Sequence, residues 1–276
     1  MATETTSLPS AGPAPLITVY YWRHGFVLLA PSFVLDRSSN PYRRLAITLM
    51  HASREPFTLE TGIADRTVTR AALIAPRVPR RRIAALKSEL FICDLAVATP
   101  EFHALALLLG NTPVHALDAA VFEPLQPEID LMHRGELPTA ELQPFIGRLV
   151  FALCGRQPER PARHPGIARA LQLIDEHPMN IVSLPWLAER VQLSPSRLRH
   201  LFVEQVGSSL THYLRWTALW KGMWLWSRGT PLIELAEQVG FHDLAHVNRA
   251  FNEIFGVNPS YMFNPQQVRL LRCEWS

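Results

Sequence analysis

The rhythm of hydrophobic and polar positions changes twice along the chain. Between residues 16 and 97 the apolar residues come in short runs: LITVYYW, GFVLLA, RLAITLM, FTLET, VTRAALIAP, RIAAL and ELFICDLAV. Each is bounded by Pro, Gly, Asn or charged residues, and many short strands at this spacing predict a β-sandwich or barrel. The period then becomes helical. In TAELQPFIGRLVFALCG, residues Leu142, Phe145, Ile146, Leu149, Val150 and Leu153 recur at steps of three and four and mark one apolar stripe. Its near-heptad spacing leaves two readings open, a core helix or a dimer interface built on Leu142, Ile146, Leu149 and Leu153, and the second is preferred.

The second change falls at RQPERPARHPG, residues 156–166. This stretch holds Pro, Gly and charged residues and no apolar residue larger than Ala, so it is predicted to be a semi-extended linker. The expected organisation is a loose tail over 1–15, a β-rich domain over 16–155, the linker over 156–166 and a helical domain over 167–276.

Within the helical part a pattern repeats. LAERVQLSPSRLRHLFVEQVG (187–207) and LAEQVGFHDLAHVNRAFNEIFG (235–256) each give an amphipathic helix, a turn and a restarted helix, with one extra residue at the second turn. Ser194 followed by Pro195 reads as an N-cap and first helical position, and Asp243 is the equivalent cap. In the first restarted helix Leu198, Leu201 and Phe202 form the buried stripe, which turns Ser196, Arg199, His200 and Val203 outward. In the second, Val247, Ala250, Phe251 and Ile254 are inward, and Ala245, Asn248, Arg249 and Asn252 outward. Arg and Asn in the first turns of such helices carry the donors that read guanine and adenine edges in a major groove. A solvated face explains either helix alone; two at equivalent positions favour DNA. The connector SLTHYLRWTALWKGMWLW (209–226) would be a helix about 27 Å long at 1.5 Å per residue, against about 34 Å between successive major grooves.

Bulk charge does not decide the matter. The net charge is only +3 in 276 residues, and Lys occurs only at Lys87 and Lys221, so the case for a polyanion partner rests on where charges sit. Cys93, Cys154 and Cys273 are odd in number and form no metal or disulfide pattern, as expected of thiols in a reducing compartment. No apolar stretch is long enough to cross a bilayer, and a cytoplasmic protein with no membrane partner is expected.

The segment from about Ile167 to Phe263 resembles the AraC/XylS family of bacterial transcription regulators. LSPSRLRHLFVEQVG carries the resemblance with Leu198, Phe202 and Gly207, Tyr213 opens the connecting helix, IELAEQVGF supplies Gly240 and Phe241, and HVNRAFNEIFGVNPSYM adds Arg249, Phe251, Phe255, Gly256 and Pro259. The resemblance implies a sequence-specific regulator, bacterial, cytoplasmic and nucleoid-associated when bound, of the activator type, with double-stranded DNA, RNA polymerase and a second copy of itself as partners. It places base contacts on Ser196, Arg197, Arg199 and His200 in the first unit and on Leu244, Ala245, Asn248 and Arg249 in the second. There are departures. The connecting helix has Ala218 where the family usually has Arg, Gly222 where it has Ala, and Trp216, Trp220, Trp224 and Trp226 around them, read as core packed against both units. Tyr261 lacks the following Arg. With apolar Leu244 and Ala245, the second unit is expected to be the weaker reader.

The resemblance also implies an α+β fold: an N-terminal β-rich, cupin-like barrel with helices, linked to an all-α domain of two helix-turn-helix units. Such a barrel implies a small-molecule effector. Where cupin enzymes hold a metal, this chain has Tyr42, Arg44 and Arg80, and these three are the candidate effector-binding residues. Arg77, Arg80, Arg81 and Arg82 form a basic cluster that is otherwise a solvated strand edge. His24, His51, His103, His115 and His133 show no HxH or HExxH spacing and read as surface or satisfied histidines, and no nucleophile or phosphate-loop motif occurs. No catalytic residue, metal or cofactor is therefore expected. Two rivals remain: a barrel that binds a protein partner, and a cupin-type enzyme with an appended DNA-binding module.

Overall fold

The short N-terminal runs pair into two sheets. The computed structural model describes residues 17–62, 65–97, 99–159, 161–226 and 230–274; the expected tail over 1–15 lies outside them. The strands are β1 (Ile17–Trp22), β2 (Gly25–Ala30), β3 (Phe33–Asp36), β4 (Ala46–Ala52), β5 (Phe57–Glu60), β6 (Arg66–Thr69), β7 (Ala71–Ile74), β8 (Arg82–Ala85), β9 (Leu90–Ala96), β10 (Val114–Ala116) and β11 (Val268–Arg272). A seven-stranded sheet runs β10-β7-β4-β9-β2-β1-β11, and a four-stranded sheet runs β3-β8-β5-β6.

The run VTRAALIAP is not one strand. It breaks at Arg70, so that β6 joins the small sheet and β7 the large one. Strands β1, β2, β4 and β9 are buried along their whole length, because one face of the large sheet meets the small sheet and the other is covered by helices.

Those helices are α1 (Pro100–Leu109), a 3-10 segment Ala119–Leu125, α2 (Gln126–Arg134) and α3 (Leu142–Cys154). Leu142, Ile146 and Leu149 are completely buried beside Phe91, Phe122 and Phe145. Of the two readings of this stripe, the structure takes the core one: the three side chains preferred for a dimer interface are in the barrel's helical cover, with Leu153 packed at its margin. Heptad spacing alone cannot separate the two, since either needs a single apolar stripe.

The helical part comprises α4 (Pro165–Glu176), α5 (Leu184–Arg190), α6 (Pro195–Val206), α7 (Leu210–Leu225), α8 (Leu232–Val239), α9 (Leu244–Phe255) and α10 (Pro259–Met262). Helix α4 begins inside the stretch read as linker, where Arg163 donates to the Val97 carbonyl at 2.8 Å and the His164 backbone N–H to Gln205 at 3.0 Å.

The chain then returns to the sheet. Strand β11, absent from the strands read from the sequence, runs parallel to β1 from Ile17↔Val268 to Tyr21↔Arg272. Parallel neighbours require a long connection, and here that connection is nearly the whole protein.

Candidate functional site

Both restarted helices form with the predicted caps. The Ser194 hydroxyl accepts from the Arg197 N–H at 3.2 Å to start α6, and the Asp243 carboxylate accepts from the His246 N–H at 2.6 Å to start α9. Leu198, Leu201 and Phe202 are buried, while Ser196, Arg197, Arg199 and His200 are exposed. In α9, Val247, Ala250, Phe251 and Ile254 are buried and Leu244, Ala245, Asn248 and Arg249 exposed. The eight side chains assigned to base contact therefore lie on two solvent-facing helix surfaces.

The second face is smaller than the sequence indicated. Asn252, read as outward, is half-buried; its amide donates to the Asn248 carbonyl at 2.9 Å and to Asn258 Oδ1 at 2.5 Å, and accepts from Arg37 of the barrel at 3.4 Å. Next to it the Arg43 backbone N–H donates to the Glu253 carbonyl at 3.1 Å. These bonds fasten the C-terminal half of α9 to the barrel while its first turns stay exposed.

Helix α7 is about 24 Å long over its 16 residues, and it divides between two cores. Tyr213 belongs with Phe202 and Leu198 of the first unit. Trp216 and Trp220 belong to a core that contains both the second unit and the barrel interior. Trp220 lies 5.6 Å from Phe26 of β2 and 5.4 Å from Phe255, and Phe26 lies 6.2 Å from Phe255. The two tryptophans are buried, as read, but against the barrel as well as the helix-turn-helix. The first unit meets the barrel more lightly, through Val97, Phe102 and the Arg23 guanidinium, which donates to the Asp175 carbonyl at 2.9 Å.

Where the barrel faces the second unit there is a cavity of about 370 Å³. Phe26, Leu28, Phe33 and Leu35 line it from the strands, Phe255, Val257 and Met262 from the helical side, and Arg44 is its cationic member.

The structure brings Tyr42, Arg44 and Arg80 together. Tyr42 and Arg80 exchange backbone hydrogen bonds of 3.3 and 2.9 Å, and both guanidinium carbons sit over the Tyr42 ring, at 5.4 and 5.8 Å. Arg80 is thus no solvated edge residue: it is 0% exposed, unlike its neighbours Arg81 and Arg82. Two residues missed in the sequence complete the group. Asp94 accepts from Arg44 at 2.8 Å and from the Thr48 hydroxyl at 2.5 Å, and Thr48 accepts from Arg80 at 2.6 Å. The available signal was the acid in the middle of the apolar run LFICDLAV, since a carboxylate on a buried strand needs a cation.

One carboxylate here serves two buried guanidinium groups. Burial opposes the charge on Arg44, but Asp94 and Tyr42 together outweigh it and the pKa lies above its ordinary value. For Arg80, burial and the like charge of Arg44 prevail and bring the pKa down to about 10. Four buried polar atoms of this group, Arg80 Nε and Nη1, Arg44 Nε and the Tyr42 hydroxyl, have no hydrogen-bond partner in the structure. Among the described residues, no group of three or more His, Cys, Asp or Glu is arranged to hold a metal ion, and no helix is long and apolar enough to cross a membrane.

Residues 187–264 match the family model described as a helix-turn-helix domain. The matched stretch falls within the segment whose sequence resembles the AraC/XylS family. The match takes in the end of α5 and all of α6 in the first helix-turn-helix, α8 and α9 in the second, and α7 between them. Solved structures extend the likeness to the barrel. An apo variant of ToxT from Vibrio cholerae superposes with a TM-score of 0.58 at 9% identity, over 86% of this chain and 96% of that one. ToxT bound to (E)-4-(8-methylnaphthalen-1-yl)but-3-enoic acid gives 0.53 at 10% identity, over 85% and 95%. The C-terminal domain of AraT, a response regulator from Geobacillus stearothermophilus, is 29% identical over 36% of this chain and 84% of that one, with a TM-score of 0.34. No curated protein matches the chain at a significant level. The N-terminal β-rich part and the helices together share the fold of the two ToxT structures.

Proposed function

We propose that this chain is a sequence-specific, DNA-binding transcription regulator governed by an anionic, largely apolar small molecule held between the barrel and the second helix-turn-helix. Ser196, Arg197, Arg199 and His200 read bases from the first unit, and Leu244, Ala245, Asn248 and Arg249 from the second. Phosphate contacts set the register and these side chains the sequence preference.

The observation that carries the effector half is the cavity with Arg44 on its wall and Asp94, Thr48, Arg80 and Tyr42 behind. A buried guanidinium with unpartnered N–H groups is costly, and an acid headgroup supplies the missing acceptors. The apolar lining suits the remainder of such a molecule. The aryl butenoic acid bound by ToxT supports a carboxylate of this kind. A small molecule is favoured over a protein partner because this site is a cavity rather than an exposed surface. The reading carries with it a cytoplasmic, nucleoid-associated regulator of the activator type that works with RNA polymerase and as a homodimer, through a face other than the buried Leu142, Ile146 and Leu149.

Two experiments test it. Selection of bound fragments from random duplexes should return a defined sequence, and recovery of no consensus would defeat the DNA-reading half. Calorimetry with a series of linear and aryl carboxylates, each beside its alcohol, should show binding by acids alone, abolished when Leu28→Arg fills the cavity. Equal binding by the alcohols, or binding untouched by Leu28→Arg, would defeat the effector half.

A further inference from the structure

On the opposite face of the large sheet lies a second cavity, with different chemistry. It has a volume of about 340 Å³ and sits where the ends of β4, β7 and β9 meet the 3-10 segment and α2. His51, Ser53, Arg54, Arg70, Glu89, Glu123, Gln126 and Asp130 line it, with Ala119 the one apolar member. None of these residues belongs to the DNA-reading faces or to the cavity that holds Arg44.

His51 was read as a surface or satisfied histidine; it is buried, hydrogen-bonded to Gln126 and the Arg70 backbone, and left with one ring nitrogen unmet. It is 2% exposed, its ring is stacked on Phe122 at 4.1 Å with an interplanar angle of 3°, and its buried Nδ1 has no hydrogen-bond partner in the structure. Burial, reinforced by Arg70, drives its pKa down to about 4, so it offers a neutral imidazole. The buried Ser53 hydroxyl also lacks a partner. Two orphaned polar groups on one polar cavity mark a place where a ligand's hydrogen bonds are missing.

Charges around the cavity are segregated. The strand side carries the guanidinium groups of Arg54 and Arg70, the latter oriented by donating to the Ser53 carbonyl at 2.9 Å. Glu123 and Asp130 stand on the helical side, and Glu89, just before β9, adds a third acid. Gln126 donates to Asp130 at 2.7 Å and fixes that carboxylate. With His51 neutral, three acids face two cations, so a simple anion is disfavoured; a small molecule carrying both an anionic and a cationic end matches both walls.

We propose that this cavity is a second ligand site, for a small zwitterion of the α-amino acid class. Its carboxylate meets Arg54 and Arg70, its ammonium group meets Asp130 and Glu123, and its remaining polar atoms satisfy His51 and Ser53. The site is independent of the DNA-reading faces and of the cavity at Arg44.

The test is calorimetry on the full-length protein with the standard L-amino acids, one at a time. For each one that binds, its decarboxylated amine and its des-amino acid follow. At least one amino acid should bind, and Asp130→Asn should weaken it by about ten- to a hundredfold, the size of one lost charge-assisted hydrogen bond. Ser53→Ala should weaken it less, and both analogues should bind at least about tenfold more weakly. His51→Gln is informative only if its melting curve is cooperative; Asp130→Asn, at a half-buried position, keeps the proposal testable otherwise. Binding by no amino acid, binding unchanged in both Asp130→Asn and Ser53→Ala, or equal binding by either analogue would overturn it.

Discussion

The two helix-turn-helix units look like copies in the sequence and belong to different parts of the molecule. The first has its own core of Ile167, Leu173, Leu187, Leu198, Phe202 and Tyr213, to which the barrel adds Val97 and Phe102. The second has no separate core: Ala250, Phe251, Phe255 and the α7 tryptophans are continuous with Phe26, Tyr42 and Ile92 of the barrel. Strand β11 then ties the end of the second unit to β1. What differs is therefore less the reading helices than what stands behind them, and a signal in the barrel has a much broader route to the second reader than to the first.

The largest effect should come from cutting the shared core. Trp220→Ala removes a side chain that touches both Phe26 and Phe255 and should cost about 3–5 kcal/mol, with the barrel and the second unit losing stability together. Phe202→Ala should cost a similar amount confined to the first unit. Thermal unfolding followed residue by residue by NMR would distinguish them, and a uniform loss in both variants would erase the comparison.

Acid should separate the units in the same way. The His51 pKa is about 4 in the folded barrel against 6.5 ordinarily. Above about pH 6.5 both states are neutral at this site and it contributes nothing. As pH falls from there toward 4, the unfolded chain takes up the proton first, and stability declines by up to about 3 kcal/mol. The loss should fall on the barrel and the second unit it supports; His51→Gln, if folded, should flatten the profile between those pH values.

Arg199→Ala and Arg249→Ala should each reduce specific DNA affinity by about 1–3 kcal/mol and relax one base preference, with non-specific binding nearly unchanged. The first should cost more, because Leu244 and Ala245 give the second face fewer donors and Asn252 is engaged by Arg37. Equal losses would make the units equal readers.

The smallest test uses two equivalent glycines. Gly207 and Gly256 end α6 and α9 with φ of +70° and +77°. A Cβ at Gly207 meets nothing within 4 Å, whereas at Gly256 it falls 2.9 Å from the Tyr42 ring. Gly207→Ala should cost about 1–2 kcal/mol from the left-handed backbone alone, and Gly256→Ala should cost more, because Tyr42 must yield. Equal melting temperatures would show that the barrel contact is soft.

What the sequence disclosed follows the range of the forces involved. Ser194, Asp243 and the two buried helix stripes are local devices, and they stand where they were read. Strand β11 was invisible because VRLLR becomes a strand only by pairing with β1 at the far end of the chain. Helix α1, PEFHALALLL, is apolar on nearly every side and gives no period to read. The break of VTRAALIAP at Arg70 depends on which sheet each half joins. At the interior site, Tyr42, Arg44 and Arg80 were recognisable as residues, but the inward turn of Arg80 and its link through Thr48 to Asp94 exist only once β4, β8 and β9 are assembled.

Amide hydrogen exchange on the intact protein measures the division most directly, because residues of one cooperative unit share one opening free energy. Slow amides of α8 and α9 should share theirs with β1, β2 and β11, while those of α5 and α6 form a separate, distinct group. If α5, α6, α8 and α9 open together and the barrel opens apart from them, the second unit belongs to its sequence twin and not to the barrel.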